Sequence, residues 1–341
     1  MTRGILGWSV GTHSIAVARI PAGSTEPDRL VRRAGRVPPS ALELAHLLTD
    51  LGREVGAGPG AEHAITLAGD LSAIGRTRRA SVTAVLDAYE QTFPRAALSV
   101  LATDGRLLAS DVARQEPFAV SGTRWLATGE LVAEGYPDAV LVDMGSSLTD
   151  IVPIAGGAVV AIGRTDPERL LEGELLGTGA VATPVEAVAA RVPLWDGEVR
   201  VAGGFALMGD VHLWRGALPA GDYTDPARDG REATREHAGD RLARVACGDR
   251  EMLDELTIGR IAATFATAQV AELAALLERV RKRHASIRVA VVNGVGTFVA
   301  AEAARTTGLS VERLADRFGT APARAAPALS VARLLADHLS G

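Results

Sequence analysis

Two carboxylates bracket a glycine turn in the segment Asp143-Met-Gly-Ser-Ser-Leu-Thr-Asp150. An aspartate at the end of a buried strand suits a hydrated Mg²⁺, an ion that keeps most of its waters and takes only one or two carboxylates. Gly145 lets the backbone approach a phosphate closely, and turn N–H groups with the hydroxyls of Ser146, Ser147 and Thr149 supply donors. Asp150 lies across the expected hairpin as a second metal carboxylate or a base. A plain hairpin, in which Asp and Ser satisfy their own turn, is the competing explanation.

A second segment repeats this outline. Residues 5–18 read Ile-Leu-Gly-Trp-Ser-Val-Gly-Thr-His-Ser-Ile-Ala-Val-Ala, and superposing the glycines matches Ser9 with Asp143, Gly11 with Gly145 and Thr12 with Ser146. The chain therefore reads as two related halves, each opened by a β-hairpin, with Gly11, Thr12 and His13 as the phosphate donors of the first turn. Asn293-Gly-Val-Gly296 follows an apolar strand and precedes a helix, which places Gly294 and Gly296 where an anion meets free N–H groups. A tight strand-to-helix turn explains the same glycines. Arg78, just before an expected helix, either reaches a phosphate or is simply exposed.

Other clusters carry less chemistry. His212, His237 and Cys247 lack metal-ligand spacing, and Cys247 is expected as a small buried apolar residue. The basic run 279–284 ends a long helix, where it is expected to complement the helix dipole and face water. The stretch 216–238 is rich in Asp, Gly, Arg and Thr with few apolar anchors. It reads as a functional loop or lid, with Asp222, Tyr223, Asp229 and Arg231 as substrate contacts.

Positioning these residues takes alternating strands and helices. Apolar spacing predicts helices over 40–51 and 81–92 and a strand over 61–68, with a glycine-rich connector at 56–60. Ile261, Phe265, Leu273, Leu276, Leu277 and Val280 mark a long helix with one buried face, followed by a strand over 289–292 and a helix beginning near Thr297. This alternation gives an α/β fold. At 341 residues and 47% apolar, the chain can bury two cores. A formal charge of −5 and 4% aromatic content argue against nucleic acid or an anionic membrane as partner. A single cysteine excludes an intrachain disulfide and multi-thiolate metal sites, and fits the reducing cytoplasm. No uninterrupted apolar run approaches the roughly 18–20 residues of a membrane helix, and Ser9, His13 and Ser14 interrupt the N-terminal run, which reads as part of the fold. Lys282 is the only lysine among 36 basic residues, so phosphate charge falls to Mg²⁺, arginine and backbone N–H groups.

Two hairpins and a glycine loop in this order resemble the actin-like, sugar-kinase-like ATPase fold. The resemblance implies a two-lobed α/β architecture with a ligand cleft between two related halves. Residues 1–130 would hold the first hairpin, and 131–341 the second hairpin, the 216–238 loop and the Gly-x-Gly loop. A more specific likeness runs from Val142-Asp-Met-Gly145 through Arg164-Thr-Asp166, Gly173-Glu-Leu, Gly177-Thr-Gly179 and Thr183-Pro-Val. It continues in Gly204-Phe-Ala-Leu-Met-Gly-Asp210, Asp222-Tyr-Thr, Asp229-Gly-Arg231, Arg241-Leu-Ala-Arg244 and Cys247-Gly-Asp-Arg250. Together these segments are similar to the hydantoinase/oxoprolinase-related proteins linked to tetrahydromethanopterin-dependent one-carbon transfer, most densely over 138–250.

That resemblance implies a transferase of methanofuran or methylofuran synthesis. It would join an aminomethyl-furanylmethyl diphosphate to the phenol of a glutamyl-tyramine or tyrosine-type acceptor, forming an aryl–alkyl ether and releasing diphosphate. A furanylmethyl diphosphate ionises to a resonance-stabilised cation, so catalysis is chiefly stabilisation of the leaving diphosphate by Mg²⁺, arginines and turn N–H groups. The phenol, with an ordinary pKa of about 10, gains from a nearby carboxylate. Asp143, Asp150 and Asp210 are the candidates, with Asp166 behind them, and Glu174 and Thr178 join the substrate contacts. An ATP-dependent kinase or a hydantoinase/oxoprolinase-like hydrolase is the alternative enzyme, and a non-catalytic binding subunit of the pathway is the alternative outside catalysis. A homo-oligomer or a complex with a pathway enzyme is compatible with each. The chain departs from the family pattern in its N-terminal half. The family's first hairpin carries Asp-x-Gly-Gly and ends with a lysine, where this chain has Ser9-Val-Gly-Thr12 and Ile15-Ala16. Arg124-Trp-Leu-Ala127 stands for Asn-Trp-x-Ala, and Gly69-Asp70 for a Glu-containing turn.

Overall fold

The computed structural model describes residues 4–340 apart from Thr25 and Pro59. Residues 1–3 of the N-terminal reading and Pro59 of the 56–60 connector lie outside the described residues. The chain forms two compact units, one of Met1–Pro137, Gly156–Glu172 and Leu314–Gly341, the other of Asp138–Ala155 and Gly173–Arg313. A single cut after residue 130 would leave 156–172 and 314–341 with the second unit. They belong to the first because their partners are there: Arg169 stacks 4.2 Å over Trp125, and Ala328, Val331, Ala332 and Leu335 join Ile5, Ala18 and Ile20 in one apolar cluster.

In the first unit, β1 (Ile5–Val10) and β2 (Ser14–Ile20) form an antiparallel hairpin with Ser9 opposite Ala16. β3 (Arg29–Ala34) extends it beyond β2, while β4 (Glu62–Leu67) and β5 (Ala97–Leu101) continue parallel to β1. β6 (Leu107–Ala109) completes the order β3-β2-β1-β4-β5-β6. The helix Ala41–Val55 starts where the Ser40 side chain accepts from Glu43 N–H and stops at Gly56, whose φ of 73° suits a residue without Cβ. Its Leu44, Leu48, Leu51 and Val55 pack with Leu6, Trp8 and Val10 on one face of β1. On the other face the helix Ala326–Ser340 lies so close that a Cβ on Gly7 would fall 2.2 Å from the Ala328 carbonyl oxygen.

In the second unit, β7 (Ala139–Met144) and β8 (Thr149–Ala155) pair antiparallel with Asp143 opposite Asp150. β9 (Leu175–Leu176) flanks β8, and β10 (Arg191–Leu194) with β11 (Gly197–Arg200) makes a separate hairpin. β12 (Val289–Asn293) and β13 (Ser310–Arg313) run parallel to β7, giving β9-β8-β7-β12-β13. Strand for strand this repeats β3-β2-β1-β4-β5 in order and direction. The fold is thus the duplicated α/β arrangement of the actin-like ATPases.

The helix Glu255–Arg283 begins at Asp254, whose carboxylate accepts from Thr257 N–H at 2.8 Å. By length and composition it is apolar enough to cross a membrane. Gln269, Glu272 and Glu278 break it, which is why it escapes a criterion of uninterrupted apolarity. Ile258, Ile261, Phe265, Leu273, Leu277 and Val280 are buried within the unit, so its apolar face is spent on the core.

Two sequence expectations change here. Cys247 is exposed, not buried: with φ of 56° it turns the chain left-handed just after the helix Arg235–Val245, a place glycine usually takes. The basic run 279–284 does more than face water, since Arg281 donates to the Thr307 carbonyl and Arg283 lies 3.5 Å from the buried Glu174 carboxylate.

Candidate functional site

Directly opposed residues of antiparallel strands project to one face with Cβ atoms about 4.5–5.5 Å apart, and two like charges there repel. Asp143 and Asp150 are such a pair. Asn293, in register with Asp143 at the end of β12, donates Nδ2 to Asp143 Oδ2 at 3.3 Å. Gly294, with φ of 88°, comes so near that a Cβ would lie 2.3 Å from the Met144 carbonyl oxygen and 2.7 Å from Asp143 Oδ1. Both conformation and space therefore demand glycine. Gly296 N–H donates to the Met144 carbonyl at 2.9 Å, so the Asn293-Gly-Val-Gly296 loop is built directly against the end of β7.

The 145–148 turn closes through Gly145 N–H to the Leu148 carbonyl at 2.9 Å. Residues 178–182 hold it from outside. Thr149 Oγ1 donates to the Thr178 carbonyl at 2.7 Å, Ala180 N–H to the Gly145 carbonyl at 2.9 Å, and Val181 and Ala182 N–H both to the Ser146 carbonyl at 2.9 Å. A Cβ on Gly179 would meet the Ser146 carbonyl at 2.6 Å. Gly179 in turn accepts at its carbonyl from Gln269 Nε2 at 3.0 Å, and Gln269 Oε1 pairs with His212 Nε2 at 2.9 Å. Because the Gln269 amide nitrogen is committed to Gly179, its oxygen must accept, so His212 donates through Nε2. His212 Nδ1 is left bare, without a hydrogen-bond partner, and burial pushes the imidazole down to about 4.

Leu218, Tyr223 and Ala238 anchor the 216–238 stretch in the apolar core, and polar contacts hold the rest. Ser146 Oγ donates to Asp225, a buried carboxylate. Tyr223 OH and Arg241 Nε donate to Asp210 Oδ1 at 3.1 and 2.8 Å, and Leu207 N–H to Asp210 Oδ2 at 2.8 Å. Arg241 Nη1 also donates to Asp229 at 2.9 Å. Asp210 and Arg241 are both 0% exposed. Burial pushes the Asp210 carboxyl up, opposed by the Leu207 N–H, the guanidinium and the phenol; burial beside Asp210 pushes the Tyr223 phenol well up. Asp222 lies in a short turn of 3-10 helix, and Arg231 is exposed, 3.7 Å from Asp240. Glu174 is fully buried, and the Thr178 hydroxyl is buried without a hydrogen-bond partner.

In the first unit, Gly11 N–H closes the β1–β2 turn on the Ser14 carbonyl at 2.9 Å, and Thr12 Oγ1 donates to the Asp70 carbonyl at 2.6 Å. The carbonyl oxygens of Thr12 and His13 accept from Val37 and Gly35 N–H, each at 3.0 Å. Arg78 and Asp166 pair at 2.7 Å, with Arg78 also donating to the Gly69 carbonyl and Ser121 Oγ. Arg124 Nε donates to Ser9 Oγ at 3.0 Å.

The structure therefore gathers Asp143, Asp150, Ser146, Thr149, Thr178 and the glycines 145, 294 and 296 around one turn. Asp210, Tyr223 and Asp229 form a distinct group in the same unit, and Ser147 lies in the turn itself. Sequence reasoning missed Asp225, Gln269, Asn293 as a side-chain donor, and the Arg124–Ser9 contact. Gln269 had a legible signal: it falls midway between Phe265 and Leu273, a polar residue on the buried stripe of a helix.

The hydantoinase/oxoprolinase family model matches residues 62–338. A (4-{4-(2-(gamma-L-glutamylamino)ethyl)phenoxymethyl}furan-2-yl)methanamine synthase of Methanocaldococcus jannaschii is 30% identical over 284 residues, 81% of this chain and 83% of that protein. A protein of the same name from Methanococcus vannielii is 27% identical over 206 residues, 59% of this chain and 92% of that one. Among solved structures, a nucleotide-free acetone carboxylase aligns with a TM-score of 0.52 and 10% identity, over 91% of this chain and 68% of that one. The ethanolamine utilization protein EutJ of Carboxydothermus hydrogenoformans gives 0.48 and 14% identity, over 98% and 90%. The structural likeness speaks to fold, whereas the family match spans most of the sequence, from β4 to the last helix. On that match, the chain belongs to the hydantoinase/oxoprolinase family.

Proposed function

We propose that this chain is an ether-forming synthase of methanofuran or methylofuran biosynthesis, joining an aminomethyl-furanylmethyl diphosphate to a phenolic acceptor of the glutamyl-tyramine or tyrosine type. The observation that carries the reading is the opposed Asp143–Asp150 pair beside a glycine turn, fixed by residues 178–182 and the Asn293 loop. The name of the relatives points the same way, since their product joins a phenol oxygen to a furan methylene.

In the reaction, the methylene–oxygen bond to diphosphate breaks with its electrons leaving on the phosphate. The phenol oxygen forms the new bond, and its proton passes to a carboxylate. Among the described residues no three His, Cys, Asp or Glu side chains gather as a metal cluster, but a pair of like-charged carboxylates suits an ion that keeps most of its waters. Mg²⁺ held there would neutralise charge on the departing diphosphate. Asn293 orients Asp143 for that task, and Asp150 stands beside it as the second carboxylate and takes the phenol proton. Turn N–H groups and Ser147 face the phosphate oxygens. Asp210, enclosed by Arg241 and Tyr223, braces the helix Met208–Trp214 and the 216–238 stretch instead of moving protons. Such chemistry belongs in the cytoplasm.

The test is incubation with the furanylmethyl diphosphate, Mg²⁺ and either phenolic acceptor, following ether by mass spectrometry and diphosphate by a coupled assay. Ether formation lost in Asp143→Asn supports the reading. Absence of ether together with Mg²⁺-dependent ATP turnover would replace it with the kinase or hydrolase alternative.

A further inference from the structure

His212 and Gln269 stand where apolar side chains would serve the fold better. His212 lies on the helix Met208–Trp214, every residue of which is buried, and Gln269 on the buried stripe of the helix Glu255–Arg283. They are 1% and 0% exposed. A buried polar group costs free energy unless it is hydrogen-bonded, and the imidazole leaves Nδ1 without a partner. Packing alone therefore gives no reason for this pair.

What the pair reaches supplies one. Gln269 Nε2 donates to the Gly179 carbonyl at 3.0 Å and His212 Nε2 to Gln269 Oε1 at 2.9 Å, so the imidazole fixes which way the amide faces. Gly179 is also held through its N–H, which donates to Thr183 Oγ1 at 2.8 Å. A Cβ on Gly179 would lie 2.6 Å from the Ser146 carbonyl carbon and oxygen and 2.6 Å from the Ser147 nitrogen. Gly179 therefore abuts the peptide that joins the two serines, and in a close-packed interior its displacement is passed on to that peptide. The imidazole also meets the Phe298 ring in a T-shaped contact at 4.8 Å. Phe298 is the second residue of the helix Thr297–Thr306, directly after Gly296 and its bond to the Met144 carbonyl. One side chain thus serves both the clamp on the 145–148 turn and the glycine loop built against β7.

We propose that His212 is a positioning residue: acting through Gln269 and Gly179, it fixes the Ser146–Ser147 peptide in the geometry that receives the substrate diphosphate. The link to diphosphate rests on the proposed activity, whereas control of the turn backbone does not. A misplacement of about 1 Å in a site can cost on the order of a hundredfold in rate. A buried polar pair with an orphaned nitrogen is then retained for its geometry at some cost in stability.

The experiment compares His212→Leu, Gln269→Met and His212→Gln by amide hydrogen exchange and by calorimetry with Mg²⁺ and inorganic pyrophosphate. Glutamine places an amide donor near the position of imidazole Nε2, and thermal melts establish which variants fold. In the two apolar variants, the amides of Gly145 and residues 180–182 exchange about tenfold faster while those of β12 are unchanged. Pyrophosphate binding weakens roughly tenfold or more in both, and His212→Gln restores exchange and binding toward wild type. Unchanged exchange at the turn in either folded apolar variant, acceleration spread equally over β12, or His212→Gln behaving as His212→Leu overturns the proposal. If wild type neither binds pyrophosphate nor makes ether while His212 still governs exchange at the turn, the proposed activity fails and the positioning of the turn stands. Undiminished ether formation by His212→Leu rejects the role of His212 and leaves the activity standing.

Discussion

Acid should loosen each unit through one buried imidazole. His63 on β4 is 2% exposed, hydrogen-bonded to Tyr89 OH and packed 5.1 Å from the Phe93 ring. His212 is 1% exposed, 4.8 Å from the Phe298 ring, with Nδ1 unpartnered. Burial pushes both down to about 4. A folded-state pKa below the ordinary value of about 6.5 means that the unfolded chain takes up protons first. The stabilisation is therefore complete above pH 6.5 and is lost as pH falls through 4. From those two values, moving from about pH 7.5 to about pH 5 costs about 2 kcal/mol per imidazole, rising to about 3 kcal/mol below pH 4.

Urea unfolding at the two pH values measures this, followed by tryptophan fluorescence. Trp8, 6.4 Å from His63, reports the first unit, and Trp214, at the end of the helix that carries His212, reports the second. The pair His63→Phe with Tyr89→Phe removes the imidazole and its hydroxyl partner together. It should abolish the first unit's share of the acid sensitivity and leave the second unit's intact. A wild-type loss below about 1 kcal/mol, or an undiminished loss in the double variant, would refute the reading of these rings as buried and neutral.

Three further outcomes follow from contacts already described. Gly179→Ala drives a Cβ to within 2.6 Å of the Ser146 carbonyl; it should cost about 1–3 kcal/mol in a thermal melt and weaken Mg²⁺-dependent pyrophosphate binding measured by calorimetry. Arg241→Met strands the fully buried Asp210 without its cation and should cost about 3–5 kcal/mol by urea unfolding, most of it recovered when Asp210→Asn is added. Cys247→Gly relieves a left-handed backbone with φ of 56° and should raise stability by up to about 1 kcal/mol, seen as a higher Tm.

The periodic elements were legible because burying one face imposes its spacing over many residues. The 40–51 and 81–92 expectations fall on the helices Ala41–Val55 and Arg78–Thr92, and the 289–292 expectation on β12. The match of Ser9 with Asp143 foretold two sheets of one topology. It could not foretell that 156–172 and 314–341 return to the first unit, because membership there depends on partners such as Trp125 for Arg169, distant in sequence. Cys247 escaped for another reason: composition favours burial of a lone thiol, whereas helix termination at this position required a left-handed residue.

A carboxylate in a motif is chemically ambiguous until the fold supplies its neighbours, and in this chain the neighbours are remote. Asp210 and Asp143 both end apolar segments in glycine-bearing motifs, yet Arg241, 31 residues on, cancels the charge of Asp210 in a site closed to water. Asp143 instead receives a neutral amide from Asn293, 150 residues away, and faces the like charge of Asp150. Ser9 receives a guanidinium from 115 residues away and faces a methyl group. Local charge balance sorts these places: the Asp210–Arg241 pair is compensated and braces its surroundings, whereas Asp143 and Asp150 bring two like charges to one face. The residue types were readable in the sequence, but their balance depends on contacts that only the fold makes. The two hairpins thus differ in charge at matched positions, Ser9 and Ala16 against Asp143 and Asp150, while keeping a common backbone.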